Sequence, residues 1–182
     1  EAPAIEVLIA RHQGVLDGVR TAGEGVEIVS DVNAGAITNE AGFNTMNTVL
    51  QAHPDINVIL GGDTLVLGAL AAIEAAGRAG ENIYMSGIDG DAEALNKVRE
   101  GGPYKARFAF AYPMMGYAWG QYAADWLEGK SIPQVMQFNA IELNSAESID
   151  AFEQAMSNVR DTWQDADTYF TNLGSISYET RD

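Results

Sequence analysis

The sequence predicts an α/β fold in which a parallel sheet is flanked by helices. Strand-like and helix-like segments alternate at short intervals through the first 111 residues. The strand-like segments at 56–60 and 83–88 are apolar nearly throughout instead of alternating, as in strands covered on both faces. Glycines and carboxylates gather just after these segments, at the strand ends where open parallel sheets hold ligands.

Residues 4–22 read as a helix. Val26-Glu27-Ile28-Val29 reads as a strand, bounded by Gly25 and the loop 31–35. A helix over 38–52 has Thr38 as its N-cap, and His53-Pro54-Asp55 stops it, because proline cannot continue a helix. A strand at 56–60 leads to an apolar helix over 64–76, ending at Gly77. The strand at 83–88 precedes a helix over 91–100, closed by Gly101-Gly102-Pro103. Past Lys105 a strand over 105–111, a helix over 114–127 and one strand over 135–143 follow. Ser145 caps an amphipathic helix over 145–159. The tail from Arg160 carries Trp163, Tyr169 and Phe170 among Asp, Thr and Asn, and no periodicity assigns it an element.

The 182 residues are 47% hydrophobic and 20% charged, enough for an ordinary globular core. Glu74 interrupts the most apolar stretch, so no run approaches the roughly 20 residues of a membrane helix. Glu1-Ala2-Pro3 shows neither the basic segment nor the apolar segment of an export signal. Ten Lys plus Arg against 26 Asp plus Glu give a formal charge of −16, which argues against a phosphate-backbone binder and hence against a nucleic-acid partner. With no cysteine, disulfides, thiolate metal sites and a Cys nucleophile are excluded together.

Three strand-end loops carry the chemistry: Asp31-Val32-Asn33, Gly61-Gly62-Asp63-Thr64 and Gly87-Ile88-Asp89-Gly90. Glycine admits a ligand close to the backbone, and a carboxylate accepts strong hydrogen bonds from hydroxyl groups. An aspartate at a helix start also serves as a cap, so Asp63 and Asp89 carry two readings. His12 and His53 lack metal-ligand spacing, and neither a nucleophile elbow, a Walker loop nor a dinucleotide fingerprint occurs. No catalytic constellation can be assembled from these residues, so an enzyme, a metal and a cofactor are not expected.

These residues resemble a known family. Leu50-Gln51-Ala52-His53-Pro54-Asp55-Ile56, then Gly62-Asp63-Thr64-Leu65-Val66-Leu67-Gly68-Ala69-Leu70, then Ser86-Gly87-Ile88-Asp89-Gly90 are similar, in order and spacing, to type I periplasmic sugar-binding proteins of the ribose-binding kind. Arg11-His12-Gln13-Gly14-Val15 resembles the family's Arg-x-x-Gly-aromatic segment, and Tyr112-Pro113-Met114-Met115-Gly116 its crossover. Leu127-Glu128-Gly129-Lys130-Ser131-Ile132-Pro133 resembles its Leu-x-Gly-Lys-x-Val-Pro turn.

The resemblance implies two lobes closing on a sugar or polyol, delivery to an ABC permease, and a periplasmic or extracellular location, with or without a lipid anchor. It implies that residues 1–111 are the second lobe lacking its first strand, 112–143 crossover elements belonging mainly to the first lobe, and 144–182 a C-terminal extension. The N-terminal lobe is then expected to be missing from this chain. Ligand contacts carry over to Arg11, Asp89 and Tyr112, with Asn39, Gly62 and Asp63 at neighbouring family positions. Gly62, Tyr112 and Ile37-Thr38-Asn39 depart from the ribose pattern and imply another pentose, hexose, polyol or cyclitol. The effector-binding domain of a lactose-repressor-type regulator shares the fold and stands as the alternative.

Overall fold

The computed structural model describes residues 5–89 and 91–180, so Ala4 and Gly90 lie outside it. The chain forms two compact units, 1–107 and 108–182.

In the first unit, α1 (Glu6–Arg20) opens with Glu6 and closes with Arg20, the charge order that complements a helix dipole. In α2 (Asn39–Ala52), the Thr38 hydroxyl accepts from Ala41 N at 3.1 Å, the expected cap. Strand β1 (Val58–Gly62) leads directly into α3 (Asp63–Ala75), whose Val66, Leu67, Ala69, Leu70, Ala72 and Ile73 are buried. The helices α2 and α3 pack backbone to backbone. A Cβ on Gly42 would strike the Leu65 carbonyl, and one on Gly68 the Asn39 carbonyl.

Strand β2 (Tyr84–Asp89) lies parallel to β1, with Val58 opposite Tyr84 and Gly62 opposite Ile88. It is followed by α4 (Ala92–Glu100) and β3 (Tyr104–Ala109), and β2 is the middle strand of the order β1–β2–β3. Asp91 caps α4 by accepting from Glu93 N at 3.0 Å. Gly101, at φ 74°, closes it in the left-handed conformation that glycine tolerates.

The strand expected at 26–29 does not form. The Val26 amide donates to Gly23 O in a turn, and residues 26–34 carry no ladder. Val26, Ile28 and Val29 instead line a cleft of about 640 Å³ together with Val58, Ile59 and Leu60. Their β propensity describes a fit to a pleated surface, and it makes a strand only where a partner backbone is within reach.

The second unit begins with α5 (Tyr112–Leu127), carrying proline in its first turn. The single strand expected at 135–143 is two strands, β4 (Val135–Phe138) and β5 (Ile141–Leu143). Asn139 makes the break. Its amide donates to Tyr169 O at 2.9 Å, and its side chain donates to Asp167 O and Thr168 O. Helix α6 (Ala146–Ser157) starts in a reciprocal capping box between Ser145 and Ser148.

The unassigned tail supplies α7 (Val159–Thr162), a 3-10 segment (Trp163–Thr168) and β6 (Phe170–Leu173). Strand β6 pairs antiparallel with β4, placing Phe138 opposite Phe170. Ala111, Met114, Ala118, Tyr169 and Phe170 form this unit's core, and Trp163 packs against Tyr117 and Tyr122 in tilted and edge-to-face contacts at ring separations of 5.5 and 5.4 Å.

Candidate functional site

The parallel register fixes the site. Because Gly62 sits opposite Ile88, the next residues, Asp63 and Asp89, emerge together from the carboxyl ends of β1 and β2. Their environments differ. Asp63 is 1% exposed, whereas the Asp89 side chain is 49% exposed.

Asp89 ends β2 at φ 130°, the one described non-glycine residue with positive φ. A non-glycine residue there costs about 1–3 kcal/mol, and such strain concentrates at ligand-holding positions. Arg11 reaches over from α1, and its Nη1 donates to Asp89 Oδ1 at 2.8 Å. The Arg11 side chain is largely covered at 15% exposure, so its planar fork is held. Gly62 borders the pair, and a Cβ there would lie 3.7 Å from Asp89 Oδ2. The site thus offers a guanidinium, a half-exposed carboxylate and open backbone, a donor and acceptor set suited to vicinal hydroxyl groups.

Asp63 belongs to the layer beneath. Its Oδ1 accepts from Tyr104 Oη at 2.8 Å, and its Oδ2 accepts from Asp91 N at 2.9 Å and lies 3.2 Å from Arg107 Nη2. Arg107, fully buried, also donates from Nη1 to Asp91 O at 3.2 Å. Burial, and then the Asp63 charge, hold the Tyr104 phenol well above its ordinary value of 10.0, so it remains a donor at neutral pH. Gly87 makes room for this cluster, since a Cβ there would collide with both Tyr104 Oη and Asp63 Oδ1.

Of the residues named from sequence, the structure brings Arg11, Gly62 and Asp89 together and sets Asp63 just below them. Asn39 is the exposed first residue of α2, and its carbonyl lies where a Cβ on Gly68 would strike it. Tyr112 opens α5 in the second unit, half-exposed, with its ring 6.1 Å from that of Phe110. Tyr104 and Arg107 were not legible. In Tyr104-Lys105-Ala106-Arg107 nothing distinguishes the exposed lysine from the buried arginine except strand alternation, and the burial pattern here departs from strict alternation. Among the described residues no group of three or more His, Asp or Glu is arranged to hold a metal, and no helix is long and apolar enough to cross a membrane.

Comparison with known proteins places the fold in a family. The periplasmic binding protein domain matches residues 2–131. The D-apiose import binding protein of Actinobacillus succinogenes is 33% identical over 122 residues, covering 61% of this chain and 37% of that protein. The ribose import binding protein of Bacillus subtilis is 28% identical over 138 residues, covering 70% and 44%. A solved ABC transporter periplasmic solute binding protein from Actinobacillus succinogenes with bound D-allose superposes with a TM-score of 0.73 at 24% identity, covering 82% of this chain and 52% of that one. The chain thus spans about half the length of that structure and less than half of those two relatives. Since the family match covers well over half of the chain, including every element of the first unit, the chain belongs to the periplasmic binding protein domain family.

Proposed function

We propose that this chain carries the sugar-contacting lobe of an ABC-importer solute-binding protein, and that a monosaccharide or polyol bridges two lobes in the whole protein. The observation that carries the reading is the Arg11–Asp89 pair beside Gly62 at the carboxyl ends of parallel strands. Guanidinium and carboxylate together can serve neighbouring sugar hydroxyls, one as donor and one as acceptor. The relatives named for apiose and ribose import, and the likeness to the D-allose complex, support the same class of ligand.

In this reading residues 1–111 are the second lobe, 112–143 the crossover and 144–182 an extension. Arg11 and Asp89 hold hydroxyls and Gly62 offers backbone, and the family resemblance adds Asn39 and Tyr112 as further ligand contacts. Asp63 supports the site from below. Ligand stabilises the closed arrangement of the lobes in proportion to its differential affinity for that state. The protein works outside the cytoplasmic membrane and hands its sugar to a permease. It binds and releases its ligand without reaction.

The test is a thermal-shift screen of the full-length protein against D-apiose, D-ribose, D-allose, allitol and myo-inositol. A ligand that binds only the folded form raises the melting temperature, by an amount that grows with its concentration over Kd. No shift with any pentose, hexose, polyol or cyclitol would overturn the reading.

A further inference from the structure

We infer that Tyr104 and Arg107 are positioning residues for the sugar site: Arg107 and Asp63 bond the Asp91 backbone, Tyr104 holds Asp63 and bounds Gly87, and together they set how Asp89 is presented. The inference rests on the sugar-binding reading above and adds to it two residues that touch no ligand.

Four observations converge. Asp91 is held by both of its backbone groups, its amide on Asp63 Oδ2 at 2.9 Å and its carbonyl on Arg107 Nη1 at 3.2 Å. Its side chain is occupied as well, capping α4 through Glu93 N at 3.0 Å. On the other side of Asp89, Gly87 passes so close to Tyr104 Oη and Asp63 Oδ1 that no side chain fits between them. Between these two fixed points stands Asp89 at φ 130°, a conformation that an aspartate keeps only where its surroundings over-determine it.

The chemistry of the cluster favours this role over simple core filling. A buried ion pair adds little net stability compared with apolar residues of similar volume, so its presence calls for another use. Arg107 and Asp63 are 0% and 1% exposed, and Tyr104 is 1% exposed. Together they form a buried floor that bonds both backbone groups of Asp91 and lies against Gly87. Holding a binding group in its bound geometry raises affinity by removing the cost of ordering it on association.

The experiment is calorimetric titration of full-length Tyr104→Phe with the same five sugars and polyols, coupled to amide hydrogen exchange on the same samples. The variant deletes one hydroxyl and leaves the ring in place. The expected result is an affinity about tenfold weaker, comparable to losing one hydrogen bond to a charged group, with faster exchange confined to the amides around 87–93. Unchanged affinity in a wild type that binds overturns the inference. So does a loss of affinity accompanied by faster exchange throughout the first unit, which marks general loosening. A wild type that binds none of the five overturns the sugar-binding reading instead. If Tyr104→Phe does not fold, Arg107→Lys carries the same test, since it keeps the charge and gives up the contact to the Asp91 carbonyl.

Discussion

Asp63 and Asp89 follow register partners on adjacent parallel strands, yet one is sealed from solvent and the other is half-open. The buried one is surrounded by Tyr104, Arg107 and the Asp91 amide, and the open one faces Arg11. The same residue type, one step past register partners on neighbouring strands, is therefore a buried structural group in one case and the proposed ligand group in the other. Substituting each should separate the two roles.

Asp89→Ala is expected to abolish sugar binding in the full-length protein while leaving it folded, because the carboxylate is half-exposed and its ion pair is not needed for packing. Asp89→Gly loses the same carboxylate and gains a residue that accepts φ 130° without a Cβ clash. The glycine variant should be more stable than the alanine variant by about 1 kcal/mol. Urea unfolding of the pair measures this, and titration with the five sugars and polyols should detect no binding by either. Retained affinity in Asp89→Ala would remove Asp89 from the site.

Asp63→Ala should behave differently. It leaves Arg107 buried without its carboxylate, a change that costs about 3–5 kcal/mol. Circular dichroism and denaturant titration should show severe destabilisation or failure to fold. Replacing Arg107 by Met as well should recover much of the loss, because a pair of apolar residues avoids the desolvation cost. A single variant within about 1 kcal/mol of wild type would mean that the floor of the site is wetter than its 1% exposure indicates.

Much of this fold was readable from local signals, and the failures have physical causes. Thr38 and Ser145 were recognisable as caps because a hydroxyl at a helix start has one strong use, and both accept the expected amide. The parallel sheet flanked by helices was expected from apolar strands alternating with helices. Val26-Glu27-Ile28-Val29 misled because propensity does not specify a partner backbone. The break at Asn139 and the strand at Phe170–Leu173 depend on each other across some thirty residues, so no local window contains either. In the candidate site, Arg11, Gly62 and Asp89 were singled out as loop chemistry or by resemblance, and the fold brings the three together. Tyr104 and Arg107 were hidden inside a strand, where their burial is a tertiary fact.

The seam between α2 and α3 has its own test. Gly68 faces the Asn39 carbonyl so closely that a methyl group there would overlap backbone atoms, which cannot yield as a flexible side chain can. Gly68→Ala would ordinarily favour a helix by about 1 kcal/mol. Here overpacking should dominate and destabilise by about 1–3 kcal/mol. Gly77, at φ 75° with open space around it, offers the contrast: Gly77→Ala should cost about 1–2 kcal/mol, the backbone penalty of a left-handed residue and no packing penalty. Chemical denaturation of both variants distinguishes the mechanisms.

The buried phenol gives a pH dependence with a definite sign. Burial and the Asp63 charge raise the folded-state pKa of Tyr104 above the ordinary 10.0. Below pH 10 the phenol is protonated in both folded and unfolded chains, so the Tyr104–Asp63 hydrogen bond is fully present. Above pH 10 the unfolded chain ionises first and binds fewer protons than the folded one. Stability then falls with rising pH, by up to about 1.4 kcal/mol per pH unit for this one group. Tyr169, raised by burial and then by Asp165, adds a second contribution of the same sign from the other unit. Tyr104→Phe should lose stability at neutral pH but show a shallower decline between pH 10 and 11.5 than wild type. The check is urea unfolding across that range, with phenolate absorbance reporting ionisation. Parallel slopes for variant and wild type would mean that Tyr104 titrates normally and that the floor beneath Asp89 is not sealed.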